Sequence, residues 1–319
     1  MLTAVLLFCL GLVLLIKGGD WFVDGSVGVA HRFGVPELII GATVVSIGTT
    51  LPEVMVSATS ALQGHGEIAY GNAIGSIICN TALIAALTVA IRPSKVDKKS
   101  LLSPVLFFFA AAAYYLFNAY VLGGFSRVSG VILVTVFVFY MIFTVNQGRK
   151  NPAPAQESTD EVKPLGKSLL LLAVGAVLIA VGANLLVDNG ILIAQGLGVP
   201  ESVIALTFVA LGTSLPELVT TITSLRKGHA SLGIGNVIGA NVFNLVLVSG
   251  LAVTLAPFEV PVGKTLLGRN ASLVLDIPLM LAVMLLLTVP ALARKKLERW
   301  QGITLLAIYT AFCLLQFFV

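Results

Sequence analysis

The strongest constraint on the fold is an internal repeat. The segment VSIGTTLPEV (45–54) recurs as VALGTSLPEL (209–218), at a constant offset of 164 residues. Around these segments, 14 of the 27 positions from Gly34 to Ser60 are identical in the second copy, without a gap. The chain is therefore made of two related halves, and its fold must place both copies in equivalent positions.

The chain is also strongly apolar. It is 57% hydrophobic and 11% charged, whereas soluble domains carry about 25% charged residues. Apolar runs of about 20 residues recur along it, and runs of this length are typical of transmembrane helices. The sequence predicts an all-α polytopic membrane protein with ten spans, at about 2–18, 35–62, 69–91, 101–122, 127–148, 167–187, 199–225, 231–256, 270–291 and 300–318.

A single polar segment separates the halves. Residues 149–166, RKNPAPAQESTDEVKPLG, are rich in proline, serine and charge, as linkers are. The predicted domains are a five-helix repeat at 1–148, this linker, and a second five-helix repeat at 167–319. Because five is odd, the second repeat enters the membrane with opposite polarity, an architecture common in transporters.

The basic residues indicate the orientation. Of the 19 lysines and arginines, 16 fall on the side of the loops that follow odd-numbered spans and 3 on the other. The positive-inside rule makes the first side cytoplasmic. We expect a multi-pass plasma-membrane protein with both termini extracytoplasmic and the linker cytoplasmic. The net charge of +4 reflects this topology and does not indicate nucleic-acid binding, and no obligatory protein partner is inferred.

Each repeated segment contains a helix breaker. Pro52 has no amide hydrogen, so the carbonyl of Gly48 loses its usual partner, and Pro216 does the same to Gly212. In a membrane such a break persists only where it is buried in protein or lines a cavity. Freed carbonyls, hydroxyls and a carboxylate form the all-oxygen ligand set that calcium and sodium prefer. We therefore expect two interrupted helices around a cation site.

Glu53 and Glu217 supply the charge of this site. A carboxylate within the membrane is costly without a partner, and no predicted span carries lysine or arginine near its middle. A bound cation is one partner for them. The alternative is structural, because Thr50 and Ser214 precede the glutamates by three residues and fit a helix capping box. The two interpretations are compatible.

The helix after each repeated segment carries a polar face. Small-residue Gly-x-x-x-Gly motifs there favour close helix packing, and a face of residues at intervals of four, polar at every position but one, lies beside them. These positions are Asn72, Ser76 and Asn80 in the first copy, and Asn236, Ala240 and Asn244 in the second. Ser76, Asn80 and Asn244 are predicted site residues. Asn72 and Asn236 are equally consistent with structural hydrogen bonds between helices.

Other chemistries lack residues to support them. All three cysteines lie in apolar segments, which argues against a disulfide or zinc framework. The three histidines lie in or beside loops, so no nucleophile–base pair for an intramembrane enzyme is evident. No enzyme activity and no resident cofactor are expected. Asp20 and Asp24 are expected at the end of the first span, in a capping or interfacial role.

The paired GTTLPE and GTSLPE segments, followed by GNAIGSIICN (71–80) and GNVIGANVFN (235–244), resemble the two alpha repeats of the calcium:cation antiporter superfamily. The similarity is greatest to its prokaryotic sodium/calcium exchanger branch and extends over essentially the whole chain. It implies transport of calcium and sodium ions by alternating access, with the two motif glutamates binding calcium.

The resemblance also assigns the remaining site positions. It implies that the backbone carbonyls of Thr49 and Thr213 complete the calcium site. It implies flanking sodium sites at Ser46, Thr50, Ser76, Asn80, Ala210 and Ser214.

Two positions depart from the family pattern. Ala240 stands where a serine is common, and Asn244 stands where several relatives have aspartate. The missing aspartate argues against potassium coupling. A calcium/proton antiporter that uses the same two glutamates is the alternative, and a cation channel fits the inverted repeat less well than a carrier does.

Overall fold

The computed structural model describes residues 2–150, 164–197, 212–263, 265–266 and 268–316. These residues form ten principal helices. They are α1 (Leu2–Phe33), α2 (Glu37–Leu62), α3 (Gly66–Ile91), α4 (Lys98–Leu122), α5 (Arg127–Lys150), α6 (Leu165–Gly196), α7 (Leu215–Arg226), α8 (Ala230–Leu255), α9 (Ser272–Arg294) and α10 (Arg299–Leu315).

Strands are confined to three short antiparallel pairs among the loops of the described residues. Each strand has two residues, so these pairs fasten loops together and do not form a sheet core. The pairs are β1 (Ser94–Lys95) with β6 (Lys296–Leu297), β2 (Gly124–Phe125) with β3 (Phe258–Glu259), and β4 (Thr265–Leu266) with β5 (Arg269–Asn270).

Within the described residues, eight helices are long and apolar enough to cross a membrane. The shorter ones are α7, whose predicted span begins outside the described residues, and the 17-residue α10. The predicted all-α polytopic fold is confirmed. The predicted first and sixth spans, 2–18 and 167–187, were too short, because α1 and α6 each continue for 32 residues. Both helices extend through polar residues that hydropathy alone excludes from a span.

The repeat symmetry is visible where α1 packs against α6. A Cβ at Gly11 would lie 2.8 Å from the carbonyl oxygen of Gly182, and a Cβ at Gly175 would lie 2.8 Å from that of Gly18. The 164-residue offset relates Gly11 to Gly175 and Gly18 to Gly182, so it exchanges these two contacts. Only glycine permits this approach of the two backbones. The first helices of the two repeats thus pack as a symmetric pair.

The centre of the bundle is α8. In its most apolar 18-residue stretch, 83% of the residues are buried, compared with 22% in α6. Its glycines allow α2 to come close, since a Cβ at Gly235 would lie 2.2 Å from the carbonyl oxygen of Leu38. This is the close packing predicted for the second Gly-x-x-x-Gly motif. No described atom lies within 4 Å of a Cβ at Gly71 or Gly75 in the first copy.

Several helices widen locally into π-helical turns, which often occur at functional sites. They lie at Gly41–Val45 in α2, Asn80–Ala85 in α3, Phe117–Leu122 in α4, Asn244–Val248 in α8 and Ser272–Asp276 in α9. The turns in α3 and α8 begin at positions that the 164-residue offset makes equivalent. Both begin at an asparagine that the sequence predicts to be a site residue.

Candidate functional site

Two buried carboxylates lie at the centre of the candidate site. Glu53 in α2 and Glu217 in α7 are both 0% exposed, and they lie close enough for their charges to repel. Neither oxygen of Glu53 has a hydrogen-bond partner, and neither does Oε2 of Glu217. Within the described residues, neither glutamate forms a salt bridge. Two such carboxylates require a cation or protons to offset the cost of their burial.

The two repeated segments meet at these carboxylates. Thr50, from the first segment, donates its hydroxyl hydrogen to Oε1 of Glu217 at 3.4 Å. Thr50 is 1% exposed and lies inside α2. The site is therefore assembled from both halves of the chain, although each half contributes the same motif.

Two equivalent hydrogen bonds cross between the repeats. Thr49 donates to the side-chain oxygen of Asn236 at 3.1 Å, and Thr213 donates to that of Asn72 at 3.3 Å. The offset of 164 relates both the threonines and the asparagines, so these bonds are symmetry counterparts. For Asn72 and Asn236, the structure thus supports the structural alternative, in which they hold helices of opposite repeats together.

Each of these asparagines makes further contacts that shape the segments. The side-chain nitrogen of Asn72 donates to the backbone carbonyl of Glu53 at 3.2 Å and to the hydroxyl of Ser57 at 2.9 Å. Ser46 lies near two oxygens of Asn236 and 2.8 Å from the carbonyl of Gly41 in the π-helical turn of α2. These contacts fix the backbone next to the carboxylates.

Asn80 and Asn244 have a different environment. Both are 0% exposed, and no side-chain nitrogen or oxygen of either residue has a hydrogen-bond partner. An amide buried without partners costs several kcal/mol, on the order of 1–3 per unpaired group, so such groups call for an explanation. A ligand or water beside each amide would supply the missing partners. Their equivalent positions at the start of two π-helical turns make them a matched pair.

The other predicted site residues lie as follows. Ser76 is 5% exposed and one turn before Asn80 in α3. Ser214 is 2% exposed and directly precedes α7. Thr213 is partly exposed in the turn before it. Ala210 lies outside the described residues.

The structure corrects two expectations about the helix breaks. The first repeated segment is not interrupted, because α2 continues from Glu37 to Leu62 with Pro52 inside it and widens at Gly41–Val45 instead. The capping box is also absent. Thr50 lies within a helix, and Ser214 makes no side-chain capping hydrogen bond. The carboxylates of Glu53 and Glu217 are therefore not used as caps.

A cluster of charges lies beyond the site, where α7 ends and α8 begins. Lys227 contacts Asp24 at 2.7 Å and Asp20 at 3.6 Å, and Nδ1 of His229 is 2.7 Å from Glu37. The hydrogen bond to Glu37 raises the pKa of His229 above its usual value, against partial burial. Asp20 and Asp24 were expected at a span end, but they lie inside the longer α1 and join it to α7.

Sequence reasoning missed several buried polar residues in the helices that carry the site. Ser57 accepts the hydrogen bond from Asn72. Asn241 donates to Thr81 at 2.7 Å, and both lie within 3.3 Å of the sulfur of Met284. The signal available in the sequence was their polarity within apolar spans, which does not reveal the helix that each one faces.

Comparison with known proteins agrees with this architecture. The family profile "Sodium/calcium exchanger protein" matches residues 3–146 and 167–318, which span both repeats. The sodium/calcium exchanger MaX1 of Methanosarcina acetivorans is 32% identical, with 98% of each chain covered. The inner membrane protein YrbG of Escherichia coli is 35% identical, with 82% of each chain covered.

A solved structure shows the same fold. The sodium-calcium exchanger NCX_Mj, soaked with 2.5 mM Na⁺ and 10 mM Sr²⁺, superposes with a TM-score of 0.81. It is 35% identical, and the match covers 97% of both chains. The fold is thus ten transmembrane helices in two inverted repeats of five, as predicted. With its two copies of the glutamate motif, its buried carboxylate pair and this full-length similarity, the chain belongs to the sodium/calcium exchanger family of membrane antiporters.

Proposed function

We propose that the protein exchanges calcium for sodium across the membrane by alternating access, at one site shared by Glu53 and Glu217. The observation that carries the proposal is the pair of buried carboxylates, of which three oxygens have no partner. Two negative charges balance one calcium ion. Sodium ions that occupy the same oxygens would displace it, and this competition couples the two fluxes.

The donor set is suited to hard cations. Calcium takes six to eight oxygen ligands in flexible geometry, and the two glutamates supply four carboxylate oxygens beside the hydroxyl of Thr50. In our assignment, the glutamates and the backbone carbonyls of Thr49 and Thr213 hold calcium. The flanking positions assigned to sodium are Ser46, Thr50, Ser76, Asn80, Ala210 and Ser214, with Asn244, the equivalent of Asn80 in the second repeat, as a further neutral ligand.

Charge also explains why exchange would be obligatory. An empty site would carry two uncompensated charges in a low-dielectric interior. Switching the access of such a site from one membrane face to the other is costly. A site that holds calcium or sodium is close to neutral. The site therefore switches its access between the two membrane faces when an ion is bound, and it does not switch when it is empty.

The membrane arrangement follows from the same reasoning. We infer a plasma-membrane location with both termini extracytoplasmic and the linker 149–166 cytoplasmic, on the basis of the 16-to-3 distribution of basic residues. The domains 1–148 and 167–319 are proposed as the two functional repeats. Lipid and the transported ions are the only partners that the proposal requires.

Transport in proteoliposomes tests the proposal. Vesicles preloaded with sodium should accumulate radioactive calcium, and vesicles preloaded with potassium should not. Glu53→Gln and Glu217→Gln should each abolish uptake, because each removes one charge from the site. Glu67→Gln, the same change at an exposed position in the first turn of α3, should transport normally.

The result distinguishes the alternatives. Uptake driven by a proton gradient and not by sodium would make protons the coupling ion at the same glutamates. Uptake without any counter-ion would indicate a channel and would refute antiport. Normal sodium-driven uptake by both glutamine variants would refute the assignment of the site.

A further inference from the structure

Three buried hydroxyls in α7 lack the hydrogen bonds that such groups usually make. Thr220, Thr221 and Ser224 are each 0% exposed, and none of their hydroxyls has a partner. We call them the α7 hydroxyl stripe. Several buried hydroxyls elsewhere in the described helices donate to the carbonyl four residues back, as in Ser26 to Phe22, Thr43 to Ile39, Thr88 to Ile84 and Thr288 to Met284. Thr144 in α5 and Ser168 in α6 are single buried hydroxyls without a partner, whereas α7 carries three together.

This difference has an energetic meaning. A buried donor without an acceptor costs on the order of 1–3 kcal/mol, and the backbone carbonyls of α7 are available to these hydroxyls at no cost in chain geometry. Three neighbouring hydroxyls that leave this option unused are oriented toward other partners. Two partners fit an otherwise apolar interior. A water molecule can accept the hydroxyl hydrogen, and a passing cation can be coordinated by the hydroxyl oxygen.

The stripe begins at the candidate site. Its members follow Glu217 by three, four and seven residues, and this spacing places them on the same face of a helix. The other face of α7 packs against α1, since a Cβ at Gly19 would lie 2.7 Å from Val219 and 2.9 Å from the hydroxyl of Thr223. The stripe therefore continues the carboxylate face and not the α1-facing side.

A partly exposed ion pair follows the stripe along the chain. The backbone carbonyl of Ser224 accepts the amide hydrogen of His229 at 2.8 Å. Nδ1 of His229 is 2.7 Å from Oε1 of Glu37, the first residue of α2. The side chains of this pair are 29% and 21% exposed. Glu217 is thus linked through α7 to a contact between α2 and α8 that solvent reaches.

The first repeat does not reproduce the stripe. The equivalents of Thr220, Thr221 and Ser224 are Val56, Ser57 and Ser60, so one hydroxyl is lost to valine. The hydroxyl of Ser57 accepts a hydrogen bond from Asn72. The turn itself is the same, with the amide of His65 donating to the carbonyl of Ser60 at 2.8 Å. The first repeat therefore has no equivalent set of three buried, unpartnered hydroxyls.

We propose that the α7 hydroxyl stripe is the wall of an ion route from Glu217 to the end of the bundle where His229 and Glu37 pair, and that this pair closes the route. The inference rests on the proposed function, in which the species that passes is a partly hydrated sodium or calcium ion. Hydroxyl oxygens replace lost water ligands along the way, as suits hard cations. When the pair separates, the carboxylate of Glu37 attracts cations to the entrance.

Thiol labelling tests the route independently of transport. In a background in which Cys9, Cys79 and Cys313 are replaced by alanine, Ser224→Cys should react with a small, charged methanethiosulfonate reagent. The reaction should be faster from the His229 side of the membrane than from the other, by at least about tenfold. Glu37→Gln should speed the reaction by weakening the closing pair. Thr88→Cys, whose native hydroxyl bonds within its own helix, should remain unlabelled.

A flux measurement in the native-cysteine protein provides a second readout. Thr220→Val, Thr221→Val and Ser224→Ala combined should reduce calcium flux by about tenfold or more and leave equilibrium calcium affinity unchanged. Thr288→Val is the matched control and should keep its flux. If Ser224→Cys is labelled but the native-cysteine protein shows no sodium-dependent calcium transport, the route is supported and the exchange is refuted. Normal flux in the triple variant, or sodium–calcium exchange by Ser224→Cys with no labelling from either side, would refute the route.

Discussion

Replacing Asn72 with alanine tests how the two repeats are held together around the site. The side chain makes three hydrogen bonds, to the carbonyl of Glu53 at 3.2 Å, to the hydroxyl of Ser57 at 2.9 Å and from the hydroxyl of Thr213 at 3.3 Å. A neutral intramolecular hydrogen bond contributes about 0.5–1.5 kcal/mol, so the loss should amount to roughly 1.5–4.5 kcal/mol. Because these bonds position one group from each repeated segment, calcium affinity should fall along with stability.

The assay is thermal unfolding of the purified protein in detergent, with and without calcium, together with a calcium titration. Asn72→Ala should lower Tm in both conditions and weaken calcium binding. In a double-mutant cycle with Thr213→Val, the coupling energy should be about 0.5–1 kcal/mol. Thr88→Val, which removes a hydrogen bond within one helix, should lower Tm without changing calcium affinity. Unchanged calcium affinity in Asn72→Ala, or a coupling energy of zero, would refute this reasoning.

Three further predictions concern groups away from Glu53 and Glu217. Gly182→Leu should destabilise the protein by about 1–3 kcal/mol, because its Cβ would lie 2.9 Å from the carbonyl oxygen of Gly11. The control Gly166→Leu, with no described atom within 4 Å of its Cβ, should keep the normal Tm. Equal Tm values for the two variants would contradict the packing of α1 against α6. Asp97→Ala should lower the free energy of unfolding by about 1 kcal/mol, because it removes an N-cap that accepts hydrogen bonds from two backbone amides of α4. An unchanged Tm would contradict this role of Asp97. The pKa of His229 is raised by its bond to a carboxylate, so its contribution to stability is complete below pH about 6.5 and is lost as pH rises through the raised pKa. The Tm deficit of His229→Asn should therefore shrink over that range, and a deficit that grows with pH would refute the ion pair.

The sequence determined the architecture well because two physical signals are local and strong. Apolar length identifies spans, and an exact offset between Glu53 and Glu217 identifies the repeat. A carboxylate without a basic partner within the membrane is an expensive exception, so it marks the candidate site. The position of these two residues in the centre of the bundle follows from the symmetry of the repeats.

The contacts between helices could not be predicted from the sequence. Asn72 and Asn80 share one helix face and one residue type, yet Asn72 bonds to three neighbours and Asn80 to none. A helical pattern gives the face of a residue but not the element that the face meets. Similarly, a proline can break a helix or be accommodated inside it, and α2 continues through Pro52. The helix α1 continues through Asp20 and Asp24, which contact Lys227 at the end of α7.

The central claim is that Glu53 and Glu217 form one site for which calcium and sodium compete. Equilibrium binding of radioactive calcium to the purified protein, titrated with sodium at several fixed calcium concentrations, tests it most directly. We predict one calcium ion per chain, competitive displacement by sodium with a Hill coefficient above one, and loss of binding in both Glu53→Gln and Glu217→Gln. Calcium binding that sodium does not displace, or that survives in either variant with its affinity unchanged, would contradict the account.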